Sequence, residues 1–306
     1  MKEIKRKFTG PYGIVITPFR ESGDVDVDAL QQQVDRVCKS DIAGVVACGS
    51  TGEFSSLSFE ENIQIMDAVR QAAHSGKQVI CGGTAGDLRT TMQYLEHMTR
   101  LGVDGALIAP SYYLSMSPDD VVAYYQKLSD ADLGTDIVAY NIPLFTTGIS
   151  LDSYSKIIRF KNILGIKNSS GNLNELMHEM DIRDRVRPEF SVLTGSDESI
   201  LAETRVGCDG SFTACAYLLP EVISMIYNGD DESARSAQYG ILRLIRLANT
   251  FTFPYGYKLL GRANGFDFGS SRQIQTENIL DREAPVLSEM RTIVDELYQR
   301  KKAIGA

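Results

Sequence analysis

The run Ile163-Leu164-Gly165-Ile166-Lys167-Asn168-Ser169-Ser170 has four residues fit for a buried strand, followed at once by a lysine, an amide and two hydroxyls. Its apolarity is continuous rather than alternating, which is how parallel strands read when both faces are covered. Seven other runs share this grammar, an apolar stretch that breaks into Gly, Ser, Asp or Pro. They are GIVITPF from Gly13, GVVACGS from Gly44, QVICGGT from Gln78, GALIAP from Gly105, DIVAYNIP from Asp136, FSVLTGSD from Phe190 and GSFTACAY from Gly210. Helical patterns fill the gaps. Ser58 and Glu61 form a capping box before a face carrying Phe59, Ile63, Met66 and Ala73, and Ser117 caps a segment with Pro118 at its first helical position.

Eight β–α pairs with short connections predict an α/β fold, a closed (β/α)8 TIM barrel. An open doubly wound sheet fits less well, because no Gly-rich dinucleotide fingerprint follows the first strand. From Asp230 onward the pattern is helical only, with Val286, Met290, Ile293 and Leu297 at helical spacing. The expected organisation is a barrel over residues 1–229 carrying the active site, and a C-terminal helical extension over 230–306 packed on it.

Composition narrows the function. The 306 residues are 43% apolar and 23% charged, as in a globular protein with a large core. A net charge of −9 argues against nucleic acid or an anionic membrane as partner, so an anionic substrate needs a local positive feature. The opening MKEIKRKFTG has no apolar run suited to a signal peptide, and no later stretch is long enough to span a bilayer. The five cysteines (Cys38, Cys48, Cys81, Cys208, Cys215) are odd in number and form no CxxC pair, so reduced thiols and a cytoplasmic setting are expected. The three histidines (His74, His97, His178) fall in separate polar, helix-like segments, and neither a metal site nor a cofactor is expected.

In a barrel of this kind chemistry gathers where strands end. The second strand ends in Gly49-Ser50-Thr51-Gly52-Glu53, where small residues let backbone N–H groups approach an anion and two hydroxyls add donors; a tight turn explains the same letters. The fourth leads into Tyr112-Tyr113 and the fifth ends in Tyr140-Asn141-Ile142-Pro143, tyrosines that packing alone also accounts for. Lys167 on the sixth is the sharpest signal. Desolvation lowers the pKa of an amine, and a neutral amine attacks a ketone, which makes a buried lysine a Schiff-base candidate. A lysine snorkelling out of the strand end fits equally well. The seventh strand ends in Gly195-Ser196-Asp197-Glu198, whose carboxylates suit either substrate hydroxyls or the cap of the next helix.

Taken together, GSTGE at Gly49, the tyrosine pair at Tyr112-Tyr113, YNIP at Tyr140 and GIKNSSG at Gly165 closely resemble the dihydrodipicolinate synthase / N-acetylneuraminate lyase family, from about Gly10 to about Pro220. The resemblance implies a class I aldolase with no cofactor beyond the imine itself. Lys167 would condense with the keto carbon of pyruvate, Ser50 and Thr51 would hold its carboxylate, and Tyr140 would relay protons. Tyr113 would complete a proton path with Thr51 and Tyr140, often across a subunit interface, which implies a homotetramer built as a dimer of dimers. A protonated imine is the electron sink that carbon–carbon cleavage beside a carbonyl needs, and these residues would supply the proton shuttle and anion site around it.

Within that family, dihydrodipicolinate synthases usually carry an arginine two residues after the proline of the YN-x-P motif, where this chain has Phe145. Phenylalanine cannot replace a guanidinium fork for a second carboxylate. Asp197 and Glu198 match the positions that hold the hydroxylated tail in N-acetylneuraminate lyases, and Ser169 matches a hydroxyl residue with the same task; Gly195 opens that segment. Ala214 stands where those lyases usually place a serine. The favoured expectation is an aldolase that reversibly cleaves a 2-keto-3-deoxy sugar acid, 2-keto-3-deoxygluconate-like or N-acetylneuraminate-like, to pyruvate and an aldehyde. The alternative is a dihydrodipicolinate synthase joining pyruvate to aspartate semialdehyde; a dehydratase or a non-catalytic sugar-acid sensor on the same scaffold ranks below both.

Overall fold

The computed structural model describes residues 4–274 and 279–304. Eight described parallel strands close into a barrel in sequence order: β1 (Gly10–Ile14), β2 (Gly44–Ala47), β3 (Gln78–Gly82), β4 (Gly105–Ile108), β5 (Ile137–Asn141), β6 (Ile163–Asn168), β7 (Ser191–Thr194) and β8 (Gly210–Thr213). All eight expected runs are strands, but β1 begins three residues before its expected start at Gly13. The reason is closure: Gly10 pairs with Gly210, and a Cβ on Gly210 would lie 2.7 Å from the Gly10 nitrogen, so this seam passes through glycines that read locally as a turn.

Between the strands run α1 (Val27–Cys38), α2 (Phe59–Ala72), α3 (Leu88–Leu101), α4 (Pro118–Asp130), α5 (Leu151–Ile157), α6 (Leu173–Val186) and α7 (Ile200–Arg205). After β8 come α8 (Ala214–Leu218), α9 (Pro220–Asn228), α10 (Asp231–Ala248), α11 (Tyr255–Ala263) and α12 (Ile279–Ile304). Ser58 and Ser117 close capping boxes on α2 and α4, the latter with Pro118 in its first turn. The buried face of α2 differs from the expected one: Asn62, Ile65, Met66 and Val69 point inward, while Phe59 and Ile63 are only half-buried and Ala73 caps the C-terminus. Met290, Ile293 and Leu297 of α12 are buried, with Val286 packed against the same core at its edge.

Strand alternation divides the interior in two. Tyr12, Ile14, Val46, Ile80, Leu107, Val138, Leu193 and Phe212 fill the barrel lumen, and a larger apolar layer lies between strands and helices. No described helix is long and apolar enough to cross a membrane.

Candidate active site

Tyr140 and Lys167 are partners in the β5–β6 register, so both side chains point into the lumen at its C-terminal end. Lys167 is 4% exposed; its Nζ donates to Tyr140 Oη at 3.1 Å and lies 4.2 Å from the centre of that ring. The lysine is therefore buried against a phenol and does not snorkel. Gly195 makes this possible: a Cβ there would sit 2.5 Å from Lys167 Cε and overlap Ser169 Oγ.

Neighbouring residues face outward and fix the pair from behind. Asn141 and Asn168, also register partners, both donate from Nδ2 to Glu175 Oε1 on α6, at 2.7 and 3.0 Å. Asn168 donates as well to Glu179 Oε1 at 2.9 Å. Burial pushes the Glu179 carboxyl up to about 8, and the nearby Glu175 and Glu203 carboxylates add to that push. The Tyr125 phenol on α4 receives the Tyr140 N–H and donates to the Ile108 carbonyl, tying β5 to β4.

Lys167 opens onto a cavity of about 540 Å3. Ser50, Thr51, Ser169, Gly195, Asp197 and Glu198 line it together with Lys167 and Tyr140, so one chain brings all these expected site residues together. Ser50 and Thr51 start a 3-10 turn whose Gly52 carbonyl accepts from Thr17 Oγ1 at 2.7 Å. Ser169 Oγ is buried without a hydrogen-bond partner among the described residues, as is Thr213 Oγ1 on β8, a cavity residue that sequence reasoning passed over.

Asp197 and Glu198 play unlike parts. Of the two readings left open for them, the cap of the following helix is not seen: Ser199 occupies the N-cap of α7 without a side-chain bond. Asp197 is buried and its Oδ1 instead accepts from Cys215 N at 2.9 Å, in the first turn of α8. Burial raises its carboxyl above the ordinary aspartate range, opposed chiefly by that N–H. Glu198 is exposed at the cavity wall.

The far wall comes from α10, α11 and the turn between them, through Ile245, Asn249, Phe253 and Tyr257. Tyr257 is held well above the usual phenol range by burial, with the Asp197 carboxylate second, so it is a neutral donor beside the acidic pair. Helical periodicity marks such residues as buried but says nothing of which strand end they reach. Phe145 packs on Phe253, ring centres 5.6 Å apart. Among the described residues lining this cavity, Lys167 is the one cationic side chain.

Tyr113 stands apart. It is 95% exposed, with φ +77°, on the rim of a second cavity of about 500 Å3 that also touches Ser50, Tyr140, Phe145 and Phe253. Among the described residues of one chain no hydrogen-bonded path joins it to Thr51 and Tyr140. The histidines are dispersed: His74 and His97 pair with Asp35 and Asp67, His178 is exposed, and no group of three or more potential metal ligands occurs among the described residues.

A sequence profile described as the dihydrodipicolinate synthetase family matches residues 7–277. The chain belongs to that family. The match runs past Pro220, where the motif resemblance weakened, and takes in Tyr257 on α11. Family members form a covalent Schiff base on a lysine and need no cofactor, and this protein is accordingly a carbon–carbon lyase of the class I aldolase type. The chain is 30% identical to the 4-hydroxy-tetrahydrodipicolinate synthase of Methanosarcina barkeri over 270 residues, 87% of this chain and 91% of that one. Among solved structures, the dihydrodipicolinate synthase of Aquifex aeolicus is 26% identical with TM-score 0.84, covering 93% of this chain and 98% of that one. The sialic acid aldolase of Ruminococcus gnavus has TM-score 0.85 at 20% identity, covering 96% and 99%, a likeness of fold.

Proposed function

We propose that the protein reversibly cleaves a 2-keto-3-deoxy sugar acid to pyruvate and a neutral hydroxylated aldehyde. Lys167 forms the imine with the keto carbon, Tyr140 moves protons at the reacting oxygen, and Ser50 and Thr51 hold the carboxylate. Glu198, Ser169 and the wall around Asp197 receive the hydroxylated tail. The observation that carries this reading is the charge of the cavity wall. No described arginine lines it, whereas Asp197 and Glu198 do, so a second carboxylate would meet like charge and find no fork to bind it. Hydroxyls instead match unpartnered Ser169 and Thr213 oxygens and the carboxylates.

The second reading, a synthase condensing pyruvate with aspartate semialdehyde, is favoured by the activity named for the Methanosarcina barkeri relative. A homotetramer acting in the cytoplasm belongs to either reading, with Tyr113 reaching a partner's site.

Two measurements test the proposal. Borohydride with pyruvate should trap an adduct on Lys167 that Lys167→Ala abolishes; an undiminished adduct in that variant refutes the mechanism. kcat/KM should be higher for 2-keto-3-deoxygluconate or N-acetylneuraminate cleavage than for aspartate semialdehyde condensation, and the opposite ranking assigns the protein to the second reading.

A further inference from the structure

A second lysine is buried in this fold, away from the imine site. Lys258 on α11 has no exposed surface, and its Nζ lies 2.8 Å from Glu53 Oε1. The same nitrogen donates to the Thr17 and Ser270 carbonyls, at 3.0 and 2.6 Å, and sits 4.2 Å above the Phe19 ring. Glu53 is 3% exposed and holds a left-handed conformation, φ +61°, which is rare for a residue with a side chain. Its Oε2 accepts from Ser271 Oγ at 2.7 Å and from Arg272 N at 2.9 Å. The pair therefore clamps three segments together: the loop after β1, the turn after β2, and the chain after α11.

Glu53 directly follows the turn Ser50–Gly52 and caps its end, its N–H donating to the Ser50 carbonyl at 3.0 Å. A Cβ on Gly52 would lie 2.8 Å from the Val15 carbonyl, so the turn is pressed on the β1 loop from the other side. A buried ion pair is a costly way to hold a fold, because an apolar pair of similar volume stabilises as well or better. What it adds is geometric definition. We propose that Glu53 and Lys258 are positioning residues for the carboxylate of the keto acid: their ion pair fixes the Ser50–Thr51 turn in the shape that grips the anion. Neither touches the reacting atoms; both act through the turn. This rests on the reading that Ser50 and Thr51 bind that carboxylate.

The experiment separates the two claims. Ser50→Ala and Thr51→Val come first, and a pyruvate KM unchanged in both sinks the carboxylate reading itself. With that reading upheld, Lys258→Met and the near-isosteric Glu53→Gln should each raise the pyruvate KM by about tenfold or more while kcat stays within about threefold, the signature of lost ground-state binding. The pyruvate concentration that half-saturates borohydride trapping should rise by the same factor, and Lys258→Arg should restore it. A pyruvate KM within about twofold of wild type in both folded variants overturns the positioning role.

Should those variants fail to fold, the wild-type protein and Lys258→Arg carry the test. Burial pulls the Lys258 amine down to about 8, with Arg262 and Arg272 lowering it further and Glu53 opposing. The pyruvate KM should therefore climb as pH rises through that value in the wild type but not in Lys258→Arg, whose guanidinium keeps its proton. Superimposable pH profiles for the two proteins overturn the proposal.

Discussion

Lys167 can be buried because its surroundings are built for an amine: a phenol oxygen at 3.1 Å, a ring face at 4.2 Å and a glycine where any side chain would collide. If Tyr140 moves protons for the imine, Tyr140→Phe should still give a pyruvate adduct but lose turnover by ~10²-fold or more. Turnover within about threefold of wild type, measured beside intact trapping, would reduce the tyrosine to packing. At the next strand end, one residue of a pair is structural and its neighbour is free. Asp197→Ala removes the acceptor for Cys215 N–H and should lower stability by about 1–2 kcal/mol in a thermal melt. Glu198→Ala removes no bond to a helix. It should leave the melt unchanged while kcat/KM for a polyhydroxylated 2-keto acid falls by ~10- to 100-fold, the worth of a hydrogen bond to a charged group. Equal loss of stability in both variants would return Glu198 to the scaffold.

At the level of elements, the β5–β6 seam is held by carboxylates outside the barrel. Glu179 on α6 has no exposed surface, and its Oε2 has no hydrogen-bond partner among the described residues. Its carboxyl titrates at about 8 in the folded protein against 4.5 ordinarily, so the native state keeps a proton there that the unfolded chain releases. The stabilisation is whole below pH 4.5 and is lost as pH rises to about 8. Glu179→Gln has no proton to lose. Urea unfolding at pH 5, 7 and 9 should show the variant gaining on wild type as pH rises, by on the order of 2–5 kcal/mol. A constant difference across that range would mean that Glu179 titrates as an ordinary glutamate. The sequence shows this seam only in part. Continuous apolar runs betray buried parallel strands, and a lysine that ends one of them marks the candidate imine site. The asparagines beside Tyr140 and Lys167 read as strand-end punctuation, because their meaning lies in carboxylates on a helix the register alone brings near. Lys258 was hidden for a similar reason: a lysine among apolar residues on a helix reads as a solvated edge until Glu53 is seen opposite it.

At the scale of the whole molecule, four of the exposed apolar residues lie on two loops beside the site: Tyr113, Leu114, Leu144 and Phe145. Tyr112 bridges Thr146, so the two loops that bear these residues are joined. A single chain gains nothing from a tyrosine in a left-handed conformation aimed at solvent, whereas a second copy seated there would cover the patch. Its Tyr113 would then stand beside the cavity that reaches Tyr140. Leu114→Glu should accordingly lower the oligomeric state in analytical ultracentrifugation and cut turnover by ~10-fold or more. The decisive measurement mixes two impaired proteins. Lys167→Ala chains lack the proposed nucleophile but offer an intact Tyr113, and Tyr113→Phe chains keep that lysine but offer no phenol. If Tyr113 serves its own chain, no exchange of subunits rebuilds a site. If it serves the partner, each mixed pair of protomers contains one complete site, and random pairing at equal amounts should bring turnover to about a quarter of wild type. Recovery no greater than the sum of the separate proteins, after exchange is verified by mass, would show that Tyr113 has no part in a neighbour's chemistry.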